Sequence, residues 1–217
     1  MTLLAKKSDE EFERELPPED TILARCIWVI DLGTQHSDKF DKWIHQVSIT
    51  WELDEKMESG EPFVISRQYT LSLGDKASLR KDLEAWRGKA FTEDELSQGF
   101  DLKKLLLQWC MITVVYNVKD NKTYANIASI MRPDKNTRQV LSKYNKQPHN
   151  TPIYFEVEDW RDDTFQLIPE WLQNKIKDSA EYDVKLSNVG HPEPDYNPGE
   201  FEQDNEPPPL DEQDIPF

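Results

Sequence analysis

The stretch PFVISRQYTLSL (62–73), followed by DKASLRKDLEAWRG (75–88), decides the fold. In its first part Phe63, Ile65, Arg67, Tyr69 and Leu71 share one side of an extended chain, the period of two that marks a strand. In its second part Leu79, Leu83 and Trp86 fall at i, i+4 and i+7, an amphipathic helical stripe, and Gly88 is a natural stop. A strand thus hands over to a helix in the middle of a chain that otherwise reads as strands.

Working outward, KWIHQVSITWEL (42–53) places Trp43, His45, Val47, Ile49, Trp51 and Leu53 on one face and Lys42, Gln46, Ser48, Thr50 and Glu52 on the other. That alternation predicts a half-buried strand. Before it, ILARCIWVIDLG (22–33) is β-branched and aromatic and ends in glycine, a first strand. After the helix, Thr92 and Glu95 are spaced as a capping box, and Asp101 can cap a short helix over 102–106. WCMITVVYNV (109–118) and TYANIASIM (123–131) flank the polar turn Lys119-Asp120-Asn121-Lys122 and predict a hairpin. Three strands, a helix and two strands is the order of an OB-type five-stranded barrel. The expected fold class is therefore mainly β with α: an OB-like barrel whose helical segment lies between strands three and four, plus a disordered acidic tail.

Four regions follow. Residues 1–20 are an acidic lead-in, 21–132 the barrel core, 133–188 an extension packed on it, and 189–217 the tail. Within the extension, YFEVEDW (154–160) predicts a short strand, and Pro169 opens a helix carrying Trp171, Leu172 and Ile176. Charged residues make up 31 % of the chain and apolar ones only 37 %, too few to pack all of it.

The formal net charge of −16 argues against a nucleic-acid binder until it is localised. Residues 189–217 hold nine acids and no Lys or Arg, and residues 1–20 carry a net −4. Setting both aside leaves −3 for 21–188. A nearly balanced body has room for a local basic groove.

A ligand with unstacked bases and a charged backbone needs flat rings and cations together. The candidate stacking residues are Trp28, Trp43, Trp51, Tyr69, Tyr116 and Tyr124. The candidate phosphate partners are Arg25, Lys42, Arg67, Arg87, Lys89, Lys119 and Lys122. Packing competes for several of these: Trp51 sits among Val47, Ile49 and Leu53, and Trp86 completes the helical stripe. Arg80, Lys81, Arg87 and Lys89 cluster on and after the helix, as a solvated face or as a phosphate rail.

Catalysis has no foothold. There is no Gly-rich phosphate loop, GxSxG or HExxH, and Asp31, Asp82 and Asp101 read as turns and helix faces. Cys26 and Cys110 lie in apolar runs as buried free thiols, there is no CxxC, and the four His are scattered, so neither metal nor cofactor is expected. No run approaches a membrane span, and the N-terminal residues lack a signal-peptide core, so the expected location is the cytoplasm.

The tail carries the sharpest motif. Asp214-Ile215-Pro216-Phe217 puts two apolar side chains and a carboxylate on a polar segment, a tip suited to a small apolar pocket rimmed by Arg or Lys. This ending resembles that of bacterial single-stranded DNA-binding proteins, whose acidic tails finish in Asp-Ile-Pro-Phe. The residues before it, Pro209-Leu210-Asp211-Glu212-Gln213, are less acidic than in that family. The body is unlike the bacterial protein. YTLSLGDKASLRKDLEAWRGKAFTEDEL (69–96), FDLKKLLL (100–107) and YANI (124–127) instead resemble phage-encoded OB-fold DNA-binding proteins, over roughly 20–132. The resemblance implies coating of single-stranded DNA in phage replication and recombination, in the host cytoplasm, with no catalysis and no metal. It also implies a tip that recruits replication and recombination proteins. A protein-interaction adaptor or recombination mediator that uses the barrel without DNA also fits the tail and the acidity.

Overall fold

The computed structural model describes residues 15–37, 41–143 and 147–187. The strands are β1 (Thr21–Ser37), β2 (Lys42–Lys56), β3 (Pro62–Thr70), β4 (Trp109–Lys119), β5 (Lys122–Met131) and β6 (Ile153–Phe155). The helices are α1 (Ser78–Arg87), α2 (Glu93–Gln98), α3 (Lys135–Leu141), α4 (Asp162–Leu167), α5 (Glu170–Lys177) and α6 (Ala180–Ser187), with a 3-10 turn over Leu102–Leu105. The chain is mainly β with some helices. Its five long strands form an antiparallel sheet in the order β3-β2-β1-β4-β5, and β6 adds to β1 in parallel.

The sheet does not close into the expected barrel, because β3 and β5 share no ladder. Helix α1 touches both of these edge strands. Trp86 Nε1 donates to the Trp109 carbonyl at 2.9 Å, and the Arg132 backbone N–H to the Ala85 carbonyl at 3.1 Å, so the helix is tied to the start of β4 and to the residue after β5.

Local chemistry explains the elements. Gly88 caps α1 with φ 69°. Thr92 and Glu95 form the capping box of α2, the Glu95 N–H donating to Thr92 Oγ1 at 3.2 Å and the Thr92 N–H to Glu95 Oε2 at 3.0 Å. Asp120 and Asn121 take φ 50° and 62°, the left-handed pair that a two-residue hairpin turn requires.

Two cores lie on opposite sides of β1. Ile22, Ala24, Cys26 and Val29 join Val47, Ile49, Trp51, Leu53, Tyr69 and the α1 residues Leu79, Leu83 and Trp86 in the first. Ile30 and Leu32 join Ile153, Phe155, Ile168, Leu172 and Ile176 in the second, with Trp28 packed against it. Irregularities between Cys26 and Trp28 and between Asp31 and Gly33 reset the alternation, which lets one strand feed both cores.

Strand β2 differs from its half-buried expectation. All eight residues from Gln46 to Leu53 are buried, on both faces. The segment after α3 covers the polar face. The Glu52 carboxylate accepts from the backbone N–H of His149 at 2.9 Å and of Asn150 at 2.8 Å. Lys175 Nζ donates to Gln68 Oε1 at 2.6 Å. Gln46, Ser48 and Thr50 are uncharged, which limits the cost of covering them, and Glu52, the charged member of this face, is paired with two backbone N–H groups.

β3 ends at Thr70, and the later strand is the three residues of β6 rather than 154–160. Among the described residues no helix is long and apolar enough to cross a membrane.

Candidate nucleic-acid interface

The β1–β2 turn presents Lys42 and Trp43. Trp43 is 50 % exposed, the most exposed tryptophan among the described residues. His36 meets it edge-on, with ring centroids 5.1 Å apart and planes at 67°. Because His36 and Trp43 are register partners, the ladder itself sets this pairing. The β4–β5 hairpin presents Lys119 and Lys122, themselves register partners, with Tyr124 half-buried behind them.

These two groups sit at opposite ends of β1. The start of β1 pairs with Thr113 of β4, on the way to the hairpin, while its end runs to Ser37 and the turn. β1 has 17 residues, a contour of roughly 55 Å at about 3.3 Å per residue. The candidates therefore form two exposed clusters rather than one groove.

Several other candidates have structural partners. Trp51 is 0 % exposed and lies 5.8 Å from Trp86, ring to ring; it is core, because its side of β2 faces α1. Tyr69 is also buried, its hydroxyl donating to Asp82 Oδ2 at 2.8 Å. Arg67 reaches the same oxygen at 3.2 Å and lies 5.6 Å from the Tyr69 ring. The Arg67–Tyr69 pairing is thus a lock between β3 and α1, not a stacking platform. Burial raises the Asp82 carboxyl above its ordinary range, opposed by Arg67 and the Tyr69 hydroxyl.

Arg25 Nε donates to the Leu107 carbonyl at 3.0 Å and its guanidinium covers Trp109. Trp28 Nε1 donates to the Thr151 carbonyl at 3.0 Å under the later segment. Arg87 bonds Glu95 and lies 4.0 Å over Phe91, while Lys89, more exposed, faces Glu95 at 3.5 Å. Tyr116 is held by residues ahead of β1: its hydroxyl donates to the Pro17 carbonyl at 2.8 Å and its N–H to Glu19 Oε1 at 2.7 Å. The docking residues Asp214, Ile215, Pro216 and Phe217 lie outside the described residues, as do 1–14 and the tail from 188 on.

Two features escaped the sequence. A cavity of about 160 Å³ lies where the 3-10 turn meets β6, lined by Lys103, Tyr154, Glu156, Asp159 and Arg161 among others. The second is a polar cluster around His45. His45 Nε2 and Asp31 Oδ1 are 2.6 Å apart, and His45 Nδ1 lies 3.8 Å from Glu181 Oε1. The hydrogen bond to Asp31 raises the imidazole above its ordinary range; burial opposes this, and the charges of Asp31, Glu181 and Glu158 reinforce it. Residues 31, 45 and 181 come from three elements, so no local spacing signals the group.

Among the described residues no group of three or more His, Cys, Asp or Glu could hold a metal ion. Cys26 and Cys110 are buried free thiols, both pushed up by burial away from the reactive thiolate. No protein-family model matches the chain, and no curated protein matches it.

Proposed function

We propose that this chain binds single-stranded DNA without strong sequence preference, as an OB-type protein of phage replication and recombination acting in the host cytoplasm, without catalysis, cofactor or metal. Bases stack on Trp43, and Lys42, Lys119 and Lys122 neutralise phosphates. The acidic segment bearing Asp214-Ile215-Pro216-Phe217 docks replication and recombination proteins.

The observation that carries this reading is Trp43, half exposed beside Lys42 on the β1–β2 ladder. One face of this indole is left to solvent while His36 holds its edge, and a ring next to a cation suits a nucleotide. The strand order, with α1 between β3 and β4, supports the OB reading.

The test is fluorescence anisotropy with labelled oligo-dT at low and high salt. Binding should weaken steeply with salt. Trp43→Ala should weaken it about 5- to 100-fold, the range of one stacked base. No binding at low salt would overturn the reading. Phe217→Ala should leave oligo-dT affinity intact and reduce capture of replication proteins.

A second reading, a protein adaptor, is favoured by one observation. OB proteins present the face of strands two and three to nucleic acid, and here Gln46, Ser48, Glu52 and Gln68 are buried. Retained capture of replication proteins without oligo-dT binding would select this reading.

A further inference from the structure

We propose that Gly33, Thr34 and His45 form a phosphodiester site, occupied in this structure by the Glu181 carboxylate of α6. The identity of the ligand rests on the single-stranded DNA reading; the site itself rests on geometry.

Two donors bond that carboxylate and a ring nitrogen stands near it. The Thr34 backbone N–H reaches Oε2 at 2.7 Å and the Thr34 hydroxyl reaches Oε1 at 2.6 Å. His45 Nδ1 stands 3.8 Å from Oε1, with Asp31 holding the opposite ring nitrogen. A backbone amide and a hydroxyl on two oxygens, with an imidazole close by, are groups that protein sites offer to phosphate oxygens.

Gly33 makes the approach possible. Its φ is +69°, and a Cβ there would come within 2.7 Å of Glu181 Oε2 and of Ser179 Cβ. An anion can therefore come down onto the backbone only at a glycine.

Exchange of one anion for the other is balanced in charge. A phosphodiester and a carboxylate each carry one negative charge. Asp31 and Glu158, the other carboxylates that act on His45, oppose both equally. The ligand must therefore win on geometry and on contacts elsewhere along the strand.

Those contacts are adjacent. Thr34 pairs with His45, and His36 pairs with Trp43, two positions along the same ladder. At about 3.3 Å per residue the two sites lie about 7 Å apart along the strand. A stacked base on Trp43 and a phosphate at Thr34 would thus belong to neighbouring parts of one strand.

The α6 helix can give way. Ala180, Glu181, Tyr182 and Val184 are half-buried and Asp183 is exposed, so none of these side chains is sealed into a core. α5, by contrast, buries Leu172 and Ile176 completely. α6 can lift while α5 stays docked.

The test has two arms. In the first, the wild-type chain is titrated with inorganic phosphate and separately with oligo-dT, and the Thr34 amide and His45 ring are followed by NMR. Both resonances should move with either probe. In the second, Glu181→Gln removes the resident charge and should tighten oligo-dT binding about fivefold. Movement with phosphate but no response to oligo-dT would keep the anion site and overturn the DNA reading. Thr34 and His45 unmoved by phosphate, or by oligo-dT that demonstrably binds, would overturn the site. If Glu181→Gln does not fold, the wild-type titrations decide alone.

Discussion

The Tyr69 hydroxyl and the Asp82 carboxylate are bonded at 2.8 Å, joining the end of β3 to the middle of α1 beside Arg67. Removing the hydroxyl leaves a largely buried carboxylate with one partner fewer. Tyr69→Phe should destabilise the fold by about 1–2 kcal/mol and raise the Asp82 pKa further, since the lost bond is one of those lowering it. Urea unfolding and carboxyl NMR titration measure the two effects. An unchanged midpoint would contradict the lock.

The two tryptophans of β2 should separate cleanly. Trp51 is wholly enclosed, and Trp51→Ala should cost about 3–5 kcal/mol. Trp43→Ala, at a half-exposed position, should stay within about 0.5 kcal/mol of wild type while weakening oligo-dT binding. Parallel urea melts and anisotropy titrations check both. Equal destabilisation would mean that Trp43 is packing.

His45 makes stability depend on pH in a stated direction. Its folded pKa lies above the ordinary 6.5, so the protonated form is favoured by folding. The contribution is fully present below about pH 6.5 and is lost as pH rises through the folded value. Wild type should therefore unfold at a lower urea midpoint at about pH 8.5 than at about pH 6, and His45→Gln should flatten that difference. Because a third of the side chain is in solvent, the effect is modest.

Gly33 and Gly60 both take positive φ, but only Gly33 has neighbours within reach. Gly60→Ala should cost about 1 kcal/mol from backbone strain alone. Gly33→Ala adds overlap with Glu181 and Ser179 and should cost about 2–3 kcal/mol while loosening α6. Similar melts for the two variants would show that α6 does not press on Gly33.

Elements with strong local signals were legible. The stripe of Leu79, Leu83 and Trp86 and the box of Thr92 and Glu95 stand where their spacing places them, and the five strands form, the third ending at Thr70 rather than at 73. What sequence could not show was what covers each face. Glu52 reads as part of a solvent face by polarity, yet His149 and Asn150, about 100 positions later, bond to it. Arg67 and Tyr69 read as a stacking pair because Asp82, their partner on α1, belongs to a different period. The His45 cluster joins Asp31, His45 and Glu181 from three separate elements, beyond any spacing rule.

The parallel seating of β6 on β1 also sets an order of events during synthesis. Trp28, Ile30 and Leu32 emerge early, but Ile153, Phe155 and Leu172, which shield them, are made more than a hundred residues later. Until then the nascent chain shows a greasy strand face to its surroundings, a liability for aggregation. A fragment ending at Met131, although it carries all five antiparallel strands, should for that reason stick to chaperones or precipitate.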